Sequence, residues 1–291
     1  MVTASTQQPT ANRAPPKQIK YTQLPATEYT QRTLGQMNGF VIETDQIQMR
    51  PLHLERDAPL LWEVYKNHTE IFKYFPGGSH PNYQSFYAEQ ERFCKSPDFF
   101  NWTVYVAAPA KKEDEEKGER KWVLCGSICL LDIVLHFRRF EVGSIWFHPS
   151  AQGTFVMVET TYALLRFSFE KLQAGRVQWK THHENIASQK AALKLGFREE
   201  GLFKKHMIHA DGTWRHTYFY AMTDDEWFGK VEETKDGRRG LEVVPGDESG
   251  EVEGRVEGRE GLQWRLEGVV EGRKREGKAL PEGIAWGEPL N

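Results

Sequence analysis

Three groups of residues have the types that proton transfer and anion binding need. Glu141 is an acidic side chain in the apolar run EVGSIWF, Gln152-Gly153-Thr154 follows at a strand-to-helix junction, and Asn185 with Ser188 opens a later helix. A carboxylate in an apolar strand is suited to accept a proton. A turn leading into a helix leaves backbone N–H groups without partners, which suits a phosphate. Taken singly, the same residues also read as an edge-strand charge, an ordinary turn and a helix N-cap. Phosphate cradles are usually rich in glycine, yet Phe155 and Met157 stand where small residues are expected.

The common alternatives fail on inspection. The chain has no GxxxxGK[ST], no GxGxxG after a strand, no GxSxG and no HExxH. His182-His183-Glu184 has metal-ligating residue types, but neighbours at a strand exit point to opposite faces, so these read as a loop pair and no metal is expected.

The elements that must position these groups alternate along the chain. FVIETDQIQMRPLHL reads as an extended lead-in, and Leu60, Val64, Ile71 and Phe72 recur at near-helical spacing behind Asp57 as a cap. NYQSFYAEQERFCK reads as a second helix. WTVYVAAP and KWVLCGSICLLDIVLHF read as strands joined by the charged loop KKEDEEKGER, and the strand carrying Glu141 follows. Val158, Tyr162, Leu165, Phe169 and Leu172 recur in alternating steps of four and three, the pattern of an amphipathic helix. RVQWKTH is then a short strand, and NIASQKAALKLGF a helix capped by Asn185 and closed by Gly196. Ala210-Asp211-Gly212 between two extended runs marks a hairpin. The expected order is βααβββαβαββ, a mixed α/β sheet.

Composition bounds the rest. Residues 1–36, rich in Gln, Thr, Pro and Ala, read as a flexible arm, and residues 231–291 as a low-complexity tail of Gly, Glu and Arg that holds about half of the 25 glycines. Trp264 and Trp286 are the possible anchors of that tail. One folded domain over residues 37–230 remains. A net charge of −3 gives no basic excess for nucleic acid. Cys94, Cys125 and Cys129 lack both CxxC pairing and disulfide-scaffold density, so they are expected to be reduced. No apolar run approaches the roughly 20 residues of a membrane span, and MVTASTQQPTANRAPPKQ lacks a signal-peptide core. The expectation is a cytoplasmic protein, with the nucleus open, that engages no membrane and is a monomer or homodimer.

The order and spacing of EVGSIWFHPSAQGT, VETTYALLRFSFEKL, RVQWKTHHENIASQKAALKLGFREEGLFKKHM and GTWRHTYFYAMTDDEW resemble the GNAT superfamily of acyl-CoA-dependent N-acyltransferases. The match is closest in kind to the RimJ/RimL-type subgroup of ribosomal-protein N-terminal acetyltransferases, and covers nearly all of the folded unit. The resemblance implies a mostly antiparallel central sheet flanked by helices, whose fourth and fifth family strands splay to form the acyl-CoA cleft. It implies acetyl-CoA as co-substrate and a primary amine, on a small metabolite or a peptide N-terminus, as acceptor. A catalytically silent module that binds acyl-CoA or a protein partner is the alternative.

On the same basis, Glu141 stands where some members carry the general base, and a backbone N–H near Trp146 or Phe147 would face the oxyanion. Gln152, Gly153, Thr154, Phe155 and Val156 would seat the pyrophosphate, with Phe155 and Met157 departing from the family's small residues. Glu159 matches a glutamate common in the subgroup. Ala192 replaces a tyrosine that many members use on the departing thiolate. That leaves Ser188, beside Asn185, as acid or CoA contact, with Tyr218 and Tyr220 as fallbacks. Tyr74, Phe75, Phe86, Tyr218 and Tyr220 would form an acceptor pocket or a core.

Overall fold

The computed structural model describes residues 19–31, 39–108 and 121–229. The strands are β1 Lys20–Gln23, β2 Phe40–Glu43, β3 Ile47–Pro51, β4 Phe99–Ala107, β5 Trp122–Val134, β6 Arg139–Phe147, β7 Arg176–His182, β8 Arg198–Ile208 and β9 Trp214–Thr223. The helices are α1 Leu54–Tyr65, α2 Tyr83–Lys95, α3 Val156–Arg166, α4 Ile186–Lys194 and α5 Asp224–Phe228, and α3 runs on into a π-helical turn, Phe167–Lys171. The strands form one sheet in the order β1-β2-β3-β4-β5-β6-β7-β9-β8. Among the described residues, β6 with β7 is the one parallel pair.

Alternation along the strands sorts side chains into two layers. Phe140, Val142, Val177, Trp179, Tyr220 and Met222 join α3 and Trp227 of α5 in the larger core. On the opposite face α1 and α2 close a second cluster, with Leu61, Tyr65, Phe72, Phe86 and Trp146 at its centre. Phe86 and Tyr220 are thus core residues, and Tyr74 and Phe75 line a cavity instead.

Most of the expected element order is present, with three corrections. The extended lead-in is two strands, β2 and β3, hairpinned so that Ile42 faces Met49. Helix α1 begins before Asp57: His53 is the N-cap, accepting the Arg56 N–H at 3.4 Å, and Asp57 reaches back to the His53 N–H at 2.8 Å. The carboxylate still satisfies the helix start, but from inside the first turn.

The third correction concerns the arm expected over residues 1–36. Lys20–Gln23 pairs with β2, and the buried Gln31 amide donates to the Asn101 carbonyl (2.6 Å) and accepts its N–H (2.5 Å). A side-chain amide completes the edge of β4 as a backbone would, a role that leaves no periodic trace in sequence. The tail expected over residues 231–291 and the loop 111–120 lie outside the described residues.

Candidate active site

The parallel ladder between β6 and β7 is short. Arg139 faces Arg176, Phe140 faces Val177 and Glu141 faces Gln178, and there the pairing stops although both strands continue. Beyond Glu141 the two strands separate. A cavity of about 700 Å³ adjoins this opening, lined by residues of β6 (Glu141 to Trp146), β7 (Trp179 to His182), Asn185, Ser188 and Arg215.

The separation coincides with a bulge in β6. Ser127 pairs with Trp146 and Cys129 with Gly143, so Ser144 and Ile145 together oppose one residue of β5, and Ser144 has φ of 48°. The extra residue shifts the alternation by one: Ile145 packs toward the α3 core, and Trp146 returns to the face that carries Glu141. A bulge leaves its extra residue outside the regular ladder pairing. The expected N–H donor lies near Trp146 or Phe147; the bulge at Ser144 sits two residues earlier, beside Gly143, the lone glycine of the strand.

Glu141 is 6% exposed, and its Oε2 lies 2.7 Å from Lys180 Nζ. Lys180 also binds Asp132 Oδ2 at 2.8 Å, and Asp132 takes a second cation, Arg139, at 3.3 Å. Burial pushes the Glu141 carboxyl above its ordinary value, and the Lys180 ammonium offsets that only in part. Burial opposes the Lys180 charge as well, but Glu141 and Asp132 together raise its pKa. Asp132 meets Lys180 from a left-handed backbone (φ 49°) at the place where the β5–β6 register slips.

The turn after β6 answers the question raised by its missing glycines. Gly153 (φ 74°) supplies the left-handed residue, and a Cβ there would meet nothing within 4 Å. Thr154 Oγ1 donates to the Ala151 carbonyl (2.6 Å) and accepts the Val156 N–H (3.3 Å). Phe155 has ordinary helical dihedrals and is buried in the α3 core, as is Val156, so only the backbone of either is available to a ligand. Met157 is half-buried against the same core. Gln152 and Gly153 are exposed, and Gln152 Nε2 donates to the Phe147 carbonyl at 3.3 Å. Glu159, buried, accepts from Thr44 Oγ1 at 2.5 Å and so ties α3 to the β2–β3 turn.

Across the opening, Asn185 Oδ1 accepts the Ser188 N–H (3.1 Å), the N-cap bond expected of it, and Gly196 (φ 90°) closes the same helix. Ser188 Oγ accepts the Trp179 indole N–H at 3.0 Å, which leaves its own hydroxyl hydrogen to donate. Tyr220 is nearly fully buried, its phenol pushed up to about 12 by burial, and Tyr218 is half-buried beside it. His182 ends β7; its Nδ1 accepts the Glu184 N–H (3.1 Å), and burial beside His183, His209 and Arg215 holds it down to about 4. Among the described residues no group of three or more His, Cys, Asp or Glu is placed to hold a metal. The three cysteines are free and buried.

The site is thus framed by a mostly antiparallel sheet with one splayed parallel pair, with an acid where the two strands part. Residues 46–198 match the Acetyltransferase (GNAT) domain family, and the chain belongs to that family. It is similar to the uncharacterized N-acetyltransferase YnaD of Bacillus subtilis (strain 168), 31% identical over 104 residues that cover 34% of this chain and 60% of YnaD. It is also similar to YdaF of the same organism, a candidate ribosomal N-acetyltransferase, at 26% identity over 37% of this chain and 57% of YdaF. The matched region thus spans less than two thirds of either relative. A GCN5-related N-acetyltransferase from Brucella melitensis shares the fold, with a TM-score of 0.55 and 21% identity, over 68% of this chain and 90% of that one. Among the described residues no helix is long and apolar enough to cross a membrane.

Proposed function

We propose that this protein transfers an acetyl group from acetyl-CoA to a primary amine by direct attack of the amine on the thioester. The observation that carries this reading is the ladder that ends at Glu141 and Gln178, with a carboxylate of raised pKa at the point where the strands part.

Bound acetyl-CoA supplies an activated carbonyl and a thiolate leaving group; the remaining work falls to this chain. An α-amine titrates at about 8 and a lysine amine at about 10, so the acceptor arrives protonated, and Glu141 takes that proton directly or through water. The bulge at Ser144 and Ile145 takes one residue out of regular pairing in the strand where a backbone N–H would face the oxyanion. Ser188, oriented by Trp179, donates toward the departing sulfur or holds the CoA chain. The exposed Gln152-Gly153 turn and the first amides of α3 are suited to the pyrophosphate, and the burial of Phe155 leaves that approach open.

The test is thiol release from acetyl-CoA across a panel of small amines and N-terminal peptides, with native protein and Glu141→Gln. Release by the native protein and its loss in the variant supports the reading. If neither protein releases thiol while calorimetry shows that both bind acetyl-CoA, a silent binding module replaces it.

A further inference from the structure

The cavity beside Glu141 holds a cation that forms no ion pair among the described residues, although Glu141 lies near enough to attract it. Arg215 lies on β9, two residues before Thr217, which pairs with His182; it therefore sits on the same face of the sheet as His182, Lys180 and Glu141. It is 8% exposed and lines the cavity. Among the described residues its guanidinium makes one hydrogen bond, from Nη1 to the Met207 thioether (3.2 Å), and no ion pair, and Nε is buried without a partner. A thioether is a weak acceptor, and a buried guanidinium is ordinarily held by a carboxylate, often through two parallel bonds.

Most other charges of the cavity are paired with one another. Lys180 is shared by Glu141 and Asp132, and Glu89 takes His80 at 2.8 Å and Arg92 at 3.5 Å. His182 adds a donor on the same side, because its Nδ1 is engaged by the Glu184 N–H and the proton must then sit on Nε2. Arg215 and His182 thus present N–H groups at one end, and Glu141 an acceptor at the other. With Glu89, Asp98, Asp132 and Glu141 around the same space, a dianion would meet more repulsion than a monoanion.

We infer that the acceptor is a small amine that also carries a carboxylate, the carboxylate seated on Arg215 and the amine turned toward Glu141. This rests on the acetyl-transfer reading, and it excludes a peptide N-terminus as the preferred acceptor, because the α-carboxyl of such a residue is consumed in the peptide bond.

The full chain is assayed for thiol release with matched amines: lysine, lysinamide and cadaverine, then β-alanine against phosphoethanolamine, then N-terminal peptides. Native protein is expected to prefer the carboxylate-bearing member by at least about tenfold in kcat/KM over its amide, the size of one lost charged hydrogen bond. Arg215→Gln should bring that ratio near one, and Arg215→Lys should restore part of it. Calorimetric titration of the same amines into the acetyl-CoA complex reads the subsite without turnover, and thermal melting of each variant checks folding. Turnover of amines with no carboxylate preference, a preference that survives Arg215→Gln, or better use of phosphoethanolamine or peptides overturns the inference and leaves acetyl transfer standing. Absence of thiol release with every amine defeats the acetyl-transfer reading instead; the titrations then decide whether Arg215 holds carboxylates.

Discussion

The two faces of the sheet around β6 and β7 are built from the same strands and do opposite things. On the α3 side, Phe140, Val142, Val177, Trp179 and Tyr220 make an apolar floor. On the α1–α2 side, Glu141, Lys180, His182 and Arg215 make a charged wall, with Asp132 drawn into it. Strict alternation would keep the two separate from end to end. The bulge at Ser144 and the end of pairing at Glu141 breach the sheet at one place, so the charged face and the cleft meet only there. The apolar face packs against α3 and the polar face carries the proposed chemistry, so substitutions on each should be separable by what they change.

The largest effect is expected on the charged face. Glu141→Gln should lower kcat/KM for amine acetylation by about 10² or more, the range for loss of a general base, with acetyl-CoA binding retained. Because burial raises the Glu141 pKa, native activity should rise with pH through that value, and the variant should lose this limb. A pH profile of kcat/KM checks both, and an unchanged acid limb in Glu141→Gln would assign the base elsewhere.

On the apolar face the matching experiment is Phe155→Ala. Phe155 is 6% exposed in the core beneath the turn, so truncation should cost about 3 kcal/mol of unfolding free energy, measured with urea. Acetyl-CoA affinity should not improve. A gain in affinity at little cost in stability would mean that the ring fills the cleft, contrary to its burial.

The two faces also differ in how far the sequence reveals them. The order of elements, the Asn185 cap, the Gly196 stop and the Asp211-Gly212 hairpin were legible because each rests on local spacing or on a residue with one strong backbone preference. Glu141 stood out as an acid among apolar neighbours. Arg215 did not, since an arginine in TWRHTYFYAM looks like any solvated strand charge until the fold buries it. The pairing of Lys180 with Asp132 is equally silent in the sequence, because the two lie 48 residues apart and meet only through the fold. The edge strand Lys20–Gln23 depends on pairing with β2, and Gln31 on a side chain imitating a strand, neither of which has a periodic signature.

A smaller effect is expected where the two faces meet across the opening. Ser188→Ala removes the acceptor of the Trp179 N–H and the hydroxyl that faces the cavity. If Ser188 assists the departing sulfur, kcat should fall by roughly tenfold or less, with the KM for acetyl-CoA little changed. A rise in KM with kcat intact would reduce its role to CoA contact. Steady-state kinetics with acetyl-CoA varied separates the two.

The smallest effect tests whether the Lys180 bridge belongs to stability as well as chemistry. Burial pushes the Asp132 carboxyl up, but Lys180 and Arg139 outweigh it and leave it below its ordinary value. Its contribution is therefore present above the unfolded-state value of about 4 and is lost as pH falls through the folded-state value. Glu141 has the opposite sign: its pKa is raised, so what it contributes is present at low pH and lost as pH rises through the folded value. Asp132 is 37% exposed and screened by water, so Asp132→Asn should cost less than about 1 kcal/mol at pH 7. Urea unfolding of native and variant protein from pH 3 to pH 7 should show that difference shrinking below about pH 4. A difference that persists undiminished at pH 3 would show that Asp132 acts through its backbone conformation, and that the charged wall stands without the bridge.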